Sequence, residues 1–296
     1  MLTTRAPAKV NLTLAVHGRR PDGYHDLTSL VAFAGIGDSL SLDPAGLPGL
    51  TITGPFAAGL AADGSNLVLK AVQHLDGLLP LGHVGHFTLL KRLPVASGIG
   101  GGSADAAAAL RLVARARGWR LDLPEVMAAA RLTGADVPVC LTSKARRMAG
   151  TGDVLGRPLQ LPRLFAVFAN PGVGVSTAAV FAALGLQPGQ LHKPVMQLQK
   201  PVGSWREDGP EDANSLISGS LTGHGNDLEN AACRIQPVII EVLQALRASK
   251  HCRLARMSGS GATCFGLFDD RDQSLTAAGS LAKAFPTWWV RATVLR

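Results

Sequence analysis

A glycine-rich stretch that leads into a helix carries the clearest chemistry in this sequence. It is Pro94-Val-Ala-Ser-Gly-Ile-Gly-Gly-Gly-Ser-Ala-Asp105, between a predicted strand at 86–93 and a predicted helix that extends to Arg117. The first amide groups of a helix have no intrahelical partner, and the helix dipole adds partial positive charge there. Because glycines leave room for a ligand beside the backbone, the stretch predicts a phosphate site, and with it a nucleotide enzyme.

Other known phosphate loops fit this stretch poorly. A Walker loop needs a lysine before its final Ser or Thr, whereas Gly102 precedes Ser103. A dinucleotide fingerprint needs a third glycine at the position that Ser103 occupies. The glycine loop of protein kinases joins two strands, whereas this one precedes a helix. A purely structural turn is disfavoured too, because consecutive glycines before a helix cost stability.

Further candidate residues are spread along the chain. Lys9, at the start of a predicted strand, is either a fixed charge near a phosphate or acid, or a surface lysine. Asp136 follows a predicted helix among apolar residues, so it is either a turn residue or a catalytic carboxylate. Tyr24 and His25 adjoin, and two such rings suit a nucleobase through stacking and edge contacts, although a lone histidine is more often structural.

A second glycine loop, Met257-Ser-Gly-Ser-Gly-Ala262, lies between two predicted strands. A hairpin turn with a bulge explains it as well as a ligand contact does.

Composition indicates a globular protein. The chain has 296 residues, 47% of them hydrophobic and 17% charged, which is enough apolar material for two domains. The net charge of +8 suits polyphosphate ligands or nucleic acid. Because Lys and Arg are scattered without dense runs, we interpret most of this charge as ordinary surface charge.

Cysteine usage and hydropathy predict a cytoplasmic protein with reduced thiols. The four cysteines show no paired spacing, which disfavours a zinc site or a disulfide framework. The N-terminus lacks the apolar core of a signal peptide. An uncharged stretch at 164–191 is interrupted by turn residues, so we expect no membrane-spanning helix.

Periodicity and turn residues predict alternating strands and helices. Strands are expected at 8–17, 30–33, 39–42, 50–53, 86–93, 163–169, 253–257, 263–268 and 288–295. Helices are expected at 66–75, from the glycine loop to 117, and at 124–132, 177–184, 227–249 (with a bend at Pro237) and 272–284. Segment 187–225 is expected to be loop and short helix. The order from 163 onward matches a split βαβ unit.

Three segments together resemble the motifs of the GHMP small-molecule kinases: Pro7-Ala-Lys9-Val-Asn11, Pro94 to Ser103, and Ser258-Gly-Ser-Gly-Ala262. Within that superfamily, Gly18-Arg-Arg-Pro-Asp-Gly-Tyr-His25, Gly134-Ala-Asp-Val-Pro138 and Asn226-Asp-Leu-Glu229 are similar to the kinases of cytidine diphosphate-linked methylerythritol in non-mevalonate isoprenoid biosynthesis. The resemblance implies an α+β, two-domain GHMP-kinase-like fold. Residues 1–156 would form a ribosomal-protein-S5-like domain and residues 157–296 a ferredoxin-like split βαβ domain.

The resemblance also implies a reaction, transfer of the ATP γ-phosphoryl group to the 2-hydroxyl of that polyol. Lys9 and Asp136 match the catalytic residues, with Lys9 holding Asp136 ionised. The implied ATP-binding residues are Pro94, Val95, Ala96, Ser97, Gly98, Ile99, Gly100, Gly101, Gly102, Ser103 and Ala104. The implied substrate-binding residues are Asn11, Tyr24, His25 and Phe181. Mg²⁺ is expected to arrive with ATP; its protein ligands are not identifiable, and Ser103 is only a candidate.

Two alternatives stay open at this stage. Another kinase of the same superfamily, of the homoserine or mevalonate type, would share the fold but would have no use for the Tyr24–His25 pair. A basic nucleic-acid-binding protein would need a contiguous basic face with exposed aromatic residues. We expect a small-molecule partner, with neither nucleic acid nor membrane; the sequence does not indicate the oligomeric state.

Overall fold

A computed structural model describes residues 1–192 and 212–296 of the chain. The contacts divide these residues into two compact units. Unit 1 comprises Met1–Lys9, Ile36–Val95 and Gly100–Ser143, and unit 2 comprises Val10–Gly35, Ala96–Ile99 and the described part of Lys144–Arg296. The units interleave along the chain because two long strands pass through both. The two units are therefore built from separate segments of the chain, whereas the predicted domains meet at a single boundary between residues 156 and 157. That boundary stays a prediction.

Strands β1 (Leu2–Arg19) and β2 (His25–Asp43) pair with each other and are the two that pass through both units. In unit 1, the end of β2 pairs antiparallel with β4 (His86–Leu90), and β3 (Gly49–Thr53) pairs parallel with β4. Phe87 of β4 is paired with Leu42 of β2 and with Leu50 of β3, and its side chain is fully buried. One side of the unit 1 core therefore consists of side chains from these strands.

The prediction of separate strands at 30–33 and 39–42 is wrong, because β2 is continuous. We interpreted its glycines as breaks, whereas Gly37 allows a close approach of backbone. A Cβ at Gly37 would lie 2.3 Å from the carbonyl oxygen of Ala6 on β1. A glycine inside a strand often marks such a contact.

Unit 1 contains four helices: α1 (Leu67–Leu78), α2 (Gly101–Arg117), α3 (Pro124–Thr133) and α4 (Val137–Thr142). The Asn66 side chain accepts from the Val68 amide, so the predicted cap of α1 is confirmed. Helix α2 packs against the other three helices through a face of buried alanines. Helix α4 was not predicted, because its six residues are too few to show a helical period.

The C-terminal part of unit 2 is an antiparallel sheet of four strands, β7 (Leu164–Asn170), β8 (Leu254–Met257), β9 (Cys264–Phe268) and β10 (Trp289–Leu295). Their order in the sheet is β10-β7-β9-β8. Helix α9 (Arg271–Ala284) packs on β7, β9 and β10, and α8 (Val238–Ala248) packs on β7, β8 and β9. This order is that of a ferredoxin-like sheet, so the predicted split βαβ unit is confirmed.

The other elements of unit 2 are short. They are β5 (Arg146–Gly150), β6 (Val154–Leu155), α5 (Thr177–Ala182), α6 (Ala213–Ser215), a π-helical turn (Leu216–Leu221) and α7 (Glu229–Ile235). Strand β5 pairs with the first part of β2 and was not predicted. In the predicted irregular segment 187–225, residues 193–211 lie outside the described residues.

The single helix predicted at 227–249 is wrong, because the structure has two helices there. Helix α7 ends at Ile235 and α8 begins at Val238. Pro237 between them has no amide hydrogen and cannot continue the first helix, so it starts the second. Among the described residues, no helix has the length and apolar character to cross a bilayer.

Candidate active site

Lys9 and Asp136 form an ion pair inside unit 1. The Lys9 Nζ lies 2.8 Å from Asp136 Oδ2 and donates a hydrogen bond to it. The lysine side chain is 4% exposed, whereas the aspartate side chain is 36% exposed. A charge-assisted hydrogen bond to a buried ammonium is strong. The pair therefore presents a fixed carboxylate to solvent, with its cation held behind it.

A tight turn between α3 and α4 places Asp136. The Gly134 amide donates to the Ala130 carbonyl at the end of α3, and the Val137 amide donates to the Gly134 carbonyl. Pro138 lies in the first turn of α4, where a missing amide hydrogen costs nothing. Asp136 directly precedes α4, but its side chain caps no amide of that helix. The carboxylate is therefore available to Lys9.

The start of α2 lies beside Lys9. Gly100, directly before the helix, has a left-handed backbone with φ of 63°. A Cβ at Gly100 would lie 3.1 Å from the Lys9 Cβ, and a Cβ at Gly101 would lie 3.1 Å from the Lys91 Nζ. Because Gly100 at the N-cap has no side chain, the first amides of α2 receive no side-chain cap from this position. Glycine at these positions thus brings the helix N-terminus, with its partial positive charge, close to a buried ammonium.

In unit 2, the second glycine loop packs on residues 96–99 of the first. A Cβ at Gly98 would lie 2.4 Å from the Ser258 carbonyl oxygen, and Gly98 has φ of 76°. The Ser258 hydroxyl donates to the Gly98 carbonyl at 3.0 Å and accepts from the Asn11 amide at 3.1 Å. The Met257–Ala262 loop therefore supports residues 96–99 of the first glycine loop and β1 at Asn11.

His25 and Phe181, far apart in sequence, are in contact in unit 2. Their ring centroids are 4.7 Å apart with a tilt of 32° between the planes. His25 Nε2 is buried without a hydrogen-bond partner among the described residues. Burial lowers the pKa of His25, and the nearby Arg19 charge lowers that pKa further. Tyr24, next to this histidine, is 65% exposed.

Asn11 also belongs to unit 2 and is nearly fully buried. Its Nδ2 donates to the Ser29 hydroxyl at 2.7 Å, and that hydroxyl donates to the Thr13 carbonyl. Its Oδ1 is buried and accepts no hydrogen bond from the described residues. A buried acceptor without a donor is costly unless a ligand supplies one.

Unit 1 also contains a buried charge cluster that was not predicted from the sequence. The Lys91 Nζ lies 2.6 Å from Asp38 Oδ2 and 2.6 Å from Asp105 Oδ2. Asp38 Oδ1 also accepts from the Arg92 and Leu93 amides. Asp105 lies in the second turn of α2, so the cluster connects α2 to β2 and to the residue that follows β4.

Burial and mutual attraction both act on the pKa values of this cluster. Burial raises the pKa of Asp105 to about 7; Lys91 opposes this effect and the Asp38 charge adds to it. Burial alone would lower the pKa of Lys91, but the two carboxylates outweigh burial and raise it. The signal in the sequence was a lone aspartate, Asp105, within a run of alanines that has no solvent-facing pattern.

The Asn226-Asp-Leu-Glu229 segment turns out to hold other parts of unit 2 in place. Asn226 Nδ2 donates to the carbonyls of Met257 and Gly259, and Glu229 Oε2 accepts from the Met257 amide. Asp227 Oδ2 accepts from the Val16 amide on β1. The segment thus anchors the second glycine loop and β1.

Comparison with known proteins agrees with this architecture. The GHMP kinases N terminal domain matches residues 66–144, and the GHMP kinases C terminal domain matches residues 211–287. A 4-diphosphocytidyl-2-C-methyl-D-erythritol kinase of Rhodopseudomonas palustris (strain BisB5) is 53% identical, over 99% of both chains. One of Methylobacterium radiotolerans is 53% identical, over 100% of this chain and 99% of the relative.

The chain belongs to the GHMP kinase family, among the 4-diphosphocytidyl-2-C-methyl-D-erythritol kinases.

Solved structures of the family agree with the fold. A crystal structure of 4-(cytidine 5'-diphospho)-2C-methyl-D-erythritol kinase superposes with a TM-score of 0.74 at 32% identity, over 99% of both chains. The L. major mevalonate kinase superposes with a TM-score of 0.67 at 20% identity, over 100% of this chain and 96% of the other, and shares the fold alone. The α+β, two-domain fold of a GHMP kinase is thus confirmed, and the chain is an ATP-dependent small-molecule kinase.

The described residues contain no group of three or more His, Cys, Asp or Glu side chains that can hold a metal ion. Mg²⁺ often binds with nucleotides through phosphate oxygens, water and one or two protein oxygens, and the Ser103 hydroxyl in the first turn of α2 is an oxygen of that kind.

Proposed function

We propose that this kinase transfers the γ-phosphoryl group of ATP to the 2-hydroxyl of 4-diphosphocytidyl-2-C-methyl-D-erythritol. The observation that carries the reaction type is the Lys9–Asp136 ion pair beside the glycine turn at the start of α2. The substrate follows from relatives at 53% identity over nearly the whole chain, which carry the name of that kinase. The His25–Phe181 contact supports a nucleobase at the far end of the substrate.

The proposed mechanism depends on position and charge, because phosphoryl transfer has a loose transition state. The substrate 2-hydroxyl donates a hydrogen bond to Asp136. As its oxygen bonds to the γ-phosphorus, the bond from that phosphorus to the β–γ bridging oxygen breaks, and ADP leaves. The hydroxyl proton passes to the Asp136 carboxylate late in this step. Lys9 keeps that carboxylate in place and neutralises charge on the transferred group.

The ATP phosphates are proposed to bind residues 94–104, with the amides of Gly101, Gly102 and Ser103 donating at the N-terminus of α2. Mg²⁺ would join ATP oxygens and neutralise their charge, with the Ser103 hydroxyl as the candidate protein ligand. We also propose the domain boundary between residues 156 and 157, since the two family domains match residues on opposite sides of it.

Four residues of unit 2 are proposed to bind the substrate, three of them at its cytosine end. The base stacks on the exposed ring of Tyr24, and Phe181, which packs on His25, covers its other side. The unpartnered Nε2 of His25 hydrogen-bonds the edge of the base, and the unpartnered Oδ1 of Asn11 accepts from the polyol. Both atoms then gain the partners that their burial requires.

Substitution of Asp136 tests the reaction. We expect Asp136→Asn to reduce turnover by more than about 100-fold while ATP binding is retained, because the amide cannot accept the proton. Asp122→Asn is the matched control: Asp122 is an exposed carboxylate of the same unit that pairs with Arg120. Titration calorimetry with a non-hydrolysable ATP analogue checks binding. Unchanged turnover in Asp136→Asn would remove this carboxylate from the mechanism.

A further inference from the structure

Arg111, on α2 in unit 1, donates hydrogen bonds to the backbone carbonyls of three residues. Its Nη1 donates to the carbonyl of Cys140 at 2.7 Å and to that of Leu141 at 3.4 Å, and its Nη2 donates to the carbonyl of Arg5 at 2.5 Å. Burial lowers the pKa of Arg111. A desolvated guanidinium is costly unless its donors are satisfied, and here backbone oxygens of two separate elements satisfy them.

The two elements are the ones that carry the ion pair. Helix α4 begins directly after Asp136, and Cys140 and Leu141 supply carbonyls in its last turn. Strand β1 carries Arg5 and Lys9, four positions apart. Carbonyls in the last turn of a helix have no intrahelical partner, so an outside donor can fix the helix position. Arg111 therefore contacts the last turn of α4 and the first part of β1, whereas Asp136 directly precedes α4 and Lys9 lies farther along β1.

We propose that Arg111 is a positioning residue for phosphoryl transfer, because its guanidinium joins α4 to β1 and so fixes the Asp136 carboxylate relative to Lys9. The proposal rests on the function proposed above and adds a residue that contacts neither substrate. Helix α4 has only six residues and cannot hold a fixed position by its own hydrogen bonds. A lysine would not replace the guanidinium, since a single ammonium lacks the planar fork that reaches carbonyls on both elements.

The matched control lies on the same helix. Arg117 Nη2 also donates to two backbone carbonyls, those of Leu81 and His83, in the segment before β4. Arg117→Met thus removes a similar clamp from α2 without touching α4 or the ion-pair segment of β1. Arg111→Met and Arg117→Met carry the same change in side chain and charge. Arg117 is exposed whereas Arg111 is partly buried, so the thermal stability of both variants is compared together with kcat.

Steady-state kinetics of the full chain with ATP and 4-diphosphocytidyl-2-C-methyl-D-erythritol tests the proposal. We expect Arg111→Met to lower kcat by about 10- to 100-fold, because a displacement near 1 Å of a catalytic group costs that much. The KM for each substrate stays within about twofold, since the residues that bind them are unchanged. Arg117→Met keeps kcat, and thermal unfolding of both variants shows whether they remain folded to a similar degree.

Chemical rescue separates positioning from stability. In Arg111→Ala, added ethylguanidinium at millimolar concentration is expected to restore part of kcat, whereas ethylammonium is not. An unchanged kcat in Arg111→Met, an equal loss in Arg117→Met, or loss of folding in Arg111→Met, Ala and Lys alike would overturn the proposal and make Arg111 a stability residue. Failure of the proposed function looks different: the unsubstituted enzyme would not turn over this polyol, or Asp136→Asn would be fully active.

Discussion

The ammonium of Lys9 and the carboxylate of Asp136 lie 2.8 Å apart, although 127 positions separate the two residues in the sequence. One stands on a long strand and the other in a turn between two helices. Their meeting gives unit 1 a partly exposed carboxylate whose counter-charge is buried, directly beside a helix N-terminus. A kinase for alcohols needs that combination, because the hydroxyl must be oriented while negative charge on the phosphates is neutralised.

Gly100 is predicted to be required for the geometry of this pair. In Gly100→Ala, the new Cβ would have to lie 3.1 Å from the Lys9 Cβ in a left-handed backbone. We expect kcat/KM for ATP to fall by about tenfold or more, as measured by initial rates. Gly118→Ala is the control, since Gly118 ends the same helix with φ of 69° and open space around it. It should lose stability alone, by about 1–2 kcal/mol, because a Cβ is disfavoured in the left-handed backbone. Equal kinetic losses in the two variants would contradict the role of Gly100.

Much of the fold was predictable from the sequence where the signals are local, whereas the meeting of Lys9 and Asp136 was expected only from the family resemblance. The glycine stretch before α2, the cap at Asn66 and the split βαβ order all follow from short-range patterns. The Lys91–Asp38–Asp105 cluster was not predictable, because Asp38 lies 53 positions from Lys91 and no periodicity encodes such a pairing. At Pro237 the sequence predicted a bend within one helix, whereas the structure has two separate helices, α7 and α8. A short helix such as α4 is fixed by tertiary contacts and not by propensity.

Tyr24 is predicted to bind the base without contributing to the fold, since most of its side chain is exposed. We expect Tyr24→Ala to raise the KM for the cytidyl substrate about 10-fold, in line with about 1–3 kcal/mol for one stacked base. The KM for ATP and the thermal stability stay unchanged. Tyr24→Phe keeps the ring and should keep the low KM. Equal weakening of both substrates in Tyr24→Ala would argue against base stacking.

The pKa of His25 is predicted to depend on Arg19. Burial and the Arg19 charge both lower that pKa, so folded His25 is neutral at pH values where the unfolded residue starts to bind a proton. Stability is therefore lost as the pH falls below about 6.5, the unfolded value. Arg19→Met should move the pKa of His25 upward and reduce this loss. Titration of the imidazole C–H signals by NMR measures the shift. Arg20→Met is the control, because Arg20 pairs with Asp22 and Asp26 instead; an unmoved pKa in Arg19→Met would refute the coupling.

Asp105 is predicted to make stability fall as the pH rises. Its folded pKa is raised to about 7, so between about pH 4 and pH 7 the folded chain holds a proton that the unfolded chain has lost. The free energy of unfolding then falls with pH by at most about 1.4 kcal/mol per unit. Asp105→Asn removes this dependence, although it also weakens the contact with Lys91. We expect urea unfolding at several pH values to show that the difference in free energy of unfolding between the unsubstituted protein and the variant shifts in favour of the variant as the pH rises. A constant difference would contradict a raised pKa.

Turnover of purified protein with ATP and Mg²⁺, offered 4-diphosphocytidyl-2-C-methyl-D-erythritol, mevalonate or homoserine in parallel, tests the central claim most directly. Product analysis by phosphorus NMR identifies the phosphorylated hydroxyl. We predict turnover with the cytidyl compound alone and a new phosphomonoester at its 2-hydroxyl. Turnover with mevalonate or homoserine instead would contradict the proposed base site while leaving the Lys9–Asp136 chemistry in place, and no turnover with any of the three would contradict the proposed function.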